Sequence, residues 1–199
     1  MNNYQEHQVL ISFWNTHKTQ AKHFNWLQGR TYSEAFVICL GAGPWKFERR
    51  KKIQGEALVK LNKRDISCLS DSQVQKMFPL KWQVKFLSAA IKNLPIGTSF
   101  NSWCANLVKN PNSARYQLLT LTKASNNAKV ISLFCRDALK IPSFPIDRHV
   151  KRKLIELNLP TDEDAMITLC QSCKLNPRDV AVLFVREASD MDNPNWRVE

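Results

Sequence analysis

The sequence predicts an all-α protein, and three observations carry that prediction. Glycine is scarce, at 5 residues in 199, while leucine, lysine and alanine are plentiful, a balance that favours helices over a turn-rich β fold. Apolar residues recur at helical spacing, as in Val84, Leu87, Ala90, Ile91 and Leu94, or Val130, Leu133, Phe134 and Ala138. Helix-start residues stand ahead of several of these sets: Thr31 to Glu34, Ser70 to Ser72, and Thr161 to Asp164.

Taken in order, residues 1–30 are polar with interleaved aromatics, and Val9, Leu10, Phe13 and Trp14 have helical spacing. The apolar run 35–40 predicts a buried helix that stops at Gly41, Ala42, Gly43 and Pro44. A second helix runs from Trp45 to about Leu61 and bears the dense cations Arg49, Arg50, Lys51 and Lys52. Residues 65–94 read as two short helices broken at Phe78-Pro79, and Pro95 to Gly97 ends the second. Phe100, Trp103 and Leu107 form the apolar face of the next helix, and another starts near Ala114. Further helices are expected over 130–139, 148–157, 161–173 and 177–188, the last with Pro177 at its first position.

The formal charge is +12, from 29 Lys and Arg against 17 Asp and Glu. Such a balance points to a polyanionic partner, nucleic acid before an anionic membrane surface. No apolar run approaches the ~20 residues of a membrane helix. No secretory signal is apparent, so a cytoplasmic protein, held to the nucleoid through DNA, is expected. Six cysteines are present, and four lie inside apolar helical patterns as small core residues. Cys170 and Cys173 alone form a C-x-x-C pair, with no further ligands after them, so neither a metal nor another cofactor is expected.

The chain is organised around residues 123–152. A polar turn (Ser125, Asn126, Asn127) leads into a helix that starts at Lys129, and a loop bounded by Pro142 and Pro145 leads to Asp147 at the mouth of the next. The intervening helix and loop can return Asp147 to Lys129. Spacing alone favours the plainer reading, Lys129 as a surface helix residue and Asp147 as an N-cap. An amine and a carboxylate beside a nucleic-acid groove suit attack at C1′ of a nucleotide, giving a Schiff base and then β-elimination. Partial burial and the cations Lys123 and Arg148 would favour the neutral amine. An ionised Asp147 would stabilise positive charge on the sugar. The nucleotide must leave the stack, which asks for apolar walls and a wedge. Trp45, Phe47, Trp82 and Phe144 are the candidates.

The run Pro145, Ile146, Asp147, Arg148, His149, Val150, Lys151 and Arg152 resembles the V/I-D-x-H-φ-x-R signature of the helix–hairpin–helix base-excision glycosylases, the endonuclease III superfamily. Lys129 falls where that family carries its hairpin lysine. The likeness is greatest to the compact archaeal-type 8-oxoguanine glycosylase/lyases, which have an I-D-R-H form of the motif. Residues 48–54, 81–94 and 179–186 resemble, in order, the helix after the duplex-entering loop, a central helix and the C-terminal helix.

The resemblance implies one glycosylase unit over 1–199 with two helical lobes and a DNA cleft between them. The central lobe, 36–145, would include the hairpin; the second would combine 1–35 with 146–199. It implies a bifunctional DNA glycosylase and AP lyase acting as a monomer on double-stranded DNA, with 8-oxoguanine as the first base it suggests. Lys129 would be the Schiff-base nucleophile and Asp147 its partner. The 123–128 turn would hold a phosphate, and Lys123, Ser125, Asn126, Asn127, Arg148, His149, Lys151, Arg49 and Arg50 would contact DNA. The family hairpin is L-P-G-φ-G; here it has no glycine, and Lys123 would supply direct phosphate contact in its place. A glycosylase on another modified base that uses water as nucleophile, or a non-catalytic DNA-binding protein with this fold, are the alternatives.

Overall fold

The computed structural model describes residues 3–21, 26–43, 46–125 and 128–188. Trp45, Asn126 and Asn127 lie outside the described residues. Among those described the chain forms α-helices joined by turns and short 3-10 segments, with no strand. The helices are α1 Asn3–His17, α2 Tyr32–Gly41, α3 Phe47–Leu61, α4 Asp71–Gln75, α5 Lys81–Lys92, α6 Phe100–Leu107, α7 Pro111–Thr122, α8 Lys129–Phe134, α9 Arg148–Glu156, α10 Glu163–Ser172 and α11 Pro177–Ala188.

α2 is the central helix because it is apolar on every side. Ser33 and the run from Ala35 to Gly41 are buried, and α2 packs against α3, α5, α6 and α8. Its start is a capping box: Thr31 accepts from the Glu34 amide while Glu34 accepts from the Thr31 amide. α3 turns Ile53, Ala57 and Leu61 inward and leaves Arg49, Lys51 and Lys52 in solvent. α7 begins at Pro111, earlier than the apolar pattern suggests, because proline at the first helical position gives up no hydrogen bond.

The buried apolar residues fall into two clusters. The first takes in Leu27, α2 and the elements from α3 to Ile141, with Phe36, Phe100 and Phe134 at its centre. The second gathers Leu10 and Phe13 of α1, Val150 and Leu154 of α9, and the inner faces of α10 and α11. Phe144, expected as a pocket wall or wedge, belongs to this second core. It is fully buried and meets Phe184 edge-on at 5.5 Å. Pro145 and Pro142 hold it in a short loop that dives inward, so its ring cannot enter a duplex.

The helix expected over 130–139 is regular only to Phe134 and continues as a π-helical turn over Cys135–Leu139. Successive side chains on an α-helix do not face one another. The widened turn brings Arg136 and Asp137, both buried, into a two-point pair of 2.7 and 2.9 Å, and Trp26 Nε1 donates to the same carboxylate at 2.9 Å. With so little glycine, left-handed backbone at helix ends falls to other residues. Lys123, Lys140, Asn158 and Lys174 all have φ between 53° and 59°. Each is followed by an amide that reaches back five residues, such as Ala124 to Leu119 at 3.0 Å, or six after the π-helical turn, where Ile141 reaches Cys135 at 3.1 Å.

Gly41, at the end of α2, sits directly on α3: a Cβ there would stand 2.7 Å from Gln54 Cγ. Gln54 in turn donates to the Ile38 carbonyl at 2.9 Å. Alanine at position 41 would gain about 0.5–1 kcal/mol in helix propensity but force this contact apart, a cost of about 1–3 kcal/mol. Gly41→Ala is therefore expected to lower stability in urea denaturation, and a variant at least as stable as the parent would contradict the packing described.

Candidate active site

Three local structures meet at the site. α7 ends at Lys123, whose left-handed backbone (φ 53°, ψ 36°) turns the chain. Lys129 opens α8 with no side-chain cap before it. Asp147 caps α9: its Oδ1 accepts from the amides of His149 and Val150, both at 2.9 Å. Its Oδ2 is left to face Lys129, whose Nζ donates to it at 2.9 Å. The cap and the ion pair are thus the two ends of one carboxylate. Burial would raise the pKa of Asp147. The Lys129 ammonium and the Val150 and His149 amides outweigh that and hold it below the usual carboxylate range. Lys129 is 41% exposed and Asp147 23%, so the pair stands at a surface that a large ligand can reach. The group in contact with Lys129 is this acid rather than the cations Lys123 and Arg148.

A buried carboxylate, Glu163, holds the elements on either side. At 1% exposure it accepts from Ser143 Oγ at 2.9 Å and the Phe144 amide at 2.8 Å, and from Ser132 Oγ. Arg115 Nε of α7 lies 3.1 Å from it, and Arg115 also pairs with Asp164. Ser132 is one turn along α8 from Lys129, and Ser143 and Phe144 lie just before Asp147. One acid therefore ties the lysine helix, the aspartate loop, α7 and α10 together. In the sequence Glu163 belongs to a helix-start signal, which gives no sign that it points inward.

The remaining predicted residues divide. Arg148 and Lys151 are exposed on α9, and Arg148 Nε donates to His149 Nε2 at 3.0 Å. Lys123 is exposed and lines a groove of about 520 Å³ with Lys81, Lys85 and Lys92. Ser125 is exposed, and its carbonyl accepts from the Ala128 amide at 3.0 Å. Arg49 is exposed along a second groove. Arg50 is partly buried 6.0 Å from the Phe47 ring, and burial lowers its pKa. Phe47 lines a pocket of about 270 Å³ whose other walls include Trp26, Ile38 and Gln54, none on an element carrying Lys129 or Asp147. Trp82 packs edge-on to Phe86 at 5.7 Å against the first core.

Burial pushes the thiols of Cys39, Cys104 and Cys135 up, and that of Cys170 to about 12, so none of these offers a thiolate at neutral pH. Among the described residues no group of three or more His, Cys, Asp or Glu is placed to hold a metal, and no helix is long and apolar enough to cross a membrane. Comparison of the chain with family models, with curated proteins and with solved structures returns no match.

Stability measurements on three variants check this geometry. Glu163→Gln removes one partner of a buried pair and is expected to cost about 3 kcal/mol or more in urea denaturation. Lys153→Ala, at the surface pair with Glu156, should cost no more than about 0.5 kcal/mol. Asp147 has a folded pKa below its unfolded value. Its charge therefore contributes stability above the unfolded pKa, about 3.9, and that contribution is lost as pH falls through the folded value. Asp147→Asn keeps a cap but not the ion pair. It should be less stable than the parent by about 0.5–1 kcal/mol at neutral pH, with the gap closing below about pH 4.

Proposed function

We propose that this chain is a DNA base-excision glycosylase with AP-lyase activity, and that Lys129 and Asp147 carry the chemistry. The observation that carries this reading is the 2.9 Å contact between an amine and a carboxylate that come from different helices eighteen positions apart. The acid is fixed on its other oxygen by two backbone amides. The resemblance of residues 145–152 to the glycosylase motif, the Lys129 position and the charge of +12 support it. The two hydrophobic clusters are the two lobes in this reading, and DNA lies across the face where the pair is exposed.

The chemistry proceeds as follows. A nucleotide turned out of the duplex presents C1′ to Lys129. The ion pair opens, the ammonium passes a proton to water, and Nζ bonds to C1′ as the base departs with the electrons of the glycosidic bond and takes up the proton that the new secondary amine sheds. Asp147, held ionised, stabilises the positive charge that develops on the sugar. Ring opening gives a Schiff base; loss of a 2′ proton then expels the 3′ phosphate. 8-Oxoguanine is the first base to test.

Borohydride trapping over duplexes with 8-oxoguanine, other modified bases or a preformed abasic site tests the reading. The parent should give a covalent adduct, and Lys129→Gln none. Asp147→Asn should bind DNA normally but excise about 10²–10⁴-fold more slowly. Abasic product without an adduct would transfer the attack to water. Binding without any product would reduce the chain to a DNA-binding protein. Either result removes the lyase assignment.

A further inference from the structure

The acidic residues are unevenly placed along the chain. Between Asp71 and Asp137 there is no aspartate or glutamate at all, while the same stretch holds Lys76, Lys81, Lys85, Lys92, Lys109, Arg115, Lys123, Lys129 and Arg136. The two arginines are buried and paired with acids from outside the interval or at its edge. The lysines are left, and the fold gathers four of them.

Lys81, Lys85 and Lys92 stand at i, i+4 and i+11 on α5, a single stripe of the helix. α5 packs beside α7, whose end places Lys123 against the same stripe. Together these four line the groove of about 520 Å³, with Phe78, Pro79 and Val84 among its apolar walls. No acid lines it. The nearest pairing is Lys92 with Asp71 at 3.8 Å, between side chains 62% and 80% exposed. A face built only for solubility mixes both signs; α5 and α7 carry no acid between them. The neighbouring groove, walled by the same Phe78 and Pro79, mixes Arg49, Lys52, Lys60 and Lys76 with Glu48 and Glu56; its two carboxylates make it the weaker candidate for an anion. From Lys81 to Lys92 the stripe runs roughly 16 Å at the rise of an α-helix, a length over which one strand of a duplex presents about five phosphates.

We propose that the groove of Lys81, Lys85, Lys92 and Lys123 is a second nucleic-acid contact, which holds the phosphodiester backbone of the duplex on one side of the extruded nucleotide. It rests on the glycosylase reading for the position of that nucleotide, but not for the binding itself. Lys123 belongs to both surfaces, since it closes α7 at the hairpin and lines the groove. Lys81, Lys85, Lys92 and Lys123 are all exposed, so their ammonium groups can meet phosphate oxygens, and contact of that kind follows the backbone and ignores base sequence.

The test compares the parent with the triple variant Lys81→Gln, Lys85→Gln, Lys92→Gln, and with a control of equal charge, Lys63→Gln, Lys109→Gln, Lys174→Gln. Each is titrated with a duplex containing a non-reactive abasic analogue over a range of sodium chloride concentrations. The groove variant should lose about 2–3 from the slope of log affinity against log salt, near 0.9 per lost phosphate contact, and bind about tenfold or more weakly at low salt. The loss should appear with duplexes extended on one side of the analogue and not on the other. An unchanged slope, an equal loss in the control, or equal loss on both sides overturns the proposal. Parent protein that binds anionic-lipid vesicles but no duplex overturns it too. A groove-dependent slope without a borohydride adduct or any abasic product keeps the groove and removes the glycosylase. An adduct with an unchanged slope does the reverse.

Discussion

The structure depends on one buried negative charge. Glu163 has left water almost completely, and such a carboxylate is tolerable only because Arg115, two serine hydroxyls and the Phe144 amide surround it. Those partners belong to parts of the chain that would otherwise be free to move against each other. α7 and α8 pack in the first hydrophobic cluster, whereas Phe144 packs in the second. Apolar contact is non-directional and would allow the two clusters to slide. Charge-assisted hydrogen bonds have preferred distances and directions, so this node fixes how the helix of Lys129 meets the loop of Asp147.

Asp147 shows the same economy on a smaller scale. One oxygen ends a helix and the other meets the lysine. A cap residue cannot rotate freely without exposing two amides, so the oxygen offered to Lys129 is held in one orientation. In the glycosylase reading proposed above, that orientation would need no reorganisation when charge develops on the sugar. The neighbouring π-helical turn performs a similar service for Arg136 and Asp137, which a regular helix would hold apart.

Charge is distributed along the same lines. Several acids cap helices or satisfy buried arginines, as Asp65 does for the start of α6, Asp147 for α9 and Glu163 for Arg115. The lysines of α5 and the exposed cations of α9 have no such task. A chain with a net charge of +12 repels itself unless that charge is spread over surface or met by a polyanion, and here it is gathered on helix faces and in grooves.

Much of this was legible in the residues. The absence of strands among the described residues, the buried α2, the box at Thr31, the Asp147 cap and the start of α11 at Pro177 follow from local rules that need no knowledge of distant chain. The candidate site was legible only in outline: Lys129 and Asp147 stood out as a pair that could meet, while Trp45, Asn126 and Asn127 fall outside what the structure describes. Phe144 misled because an aromatic between prolines looks the same whether its loop turns out or in. Glu163 was hidden because an acid in the first turn of a helix is ordinarily a solvated partner of the dipole. The sequence by itself determined the helices and their ends, which are settled within a few residues by backbone hydrogen bonding and side-chain period. Tertiary structure alone decided which carboxylate is buried, which lysines share a groove and that an amine meets an acid at 2.9 Å, because those depend on how separate helices pack and on where water is excluded.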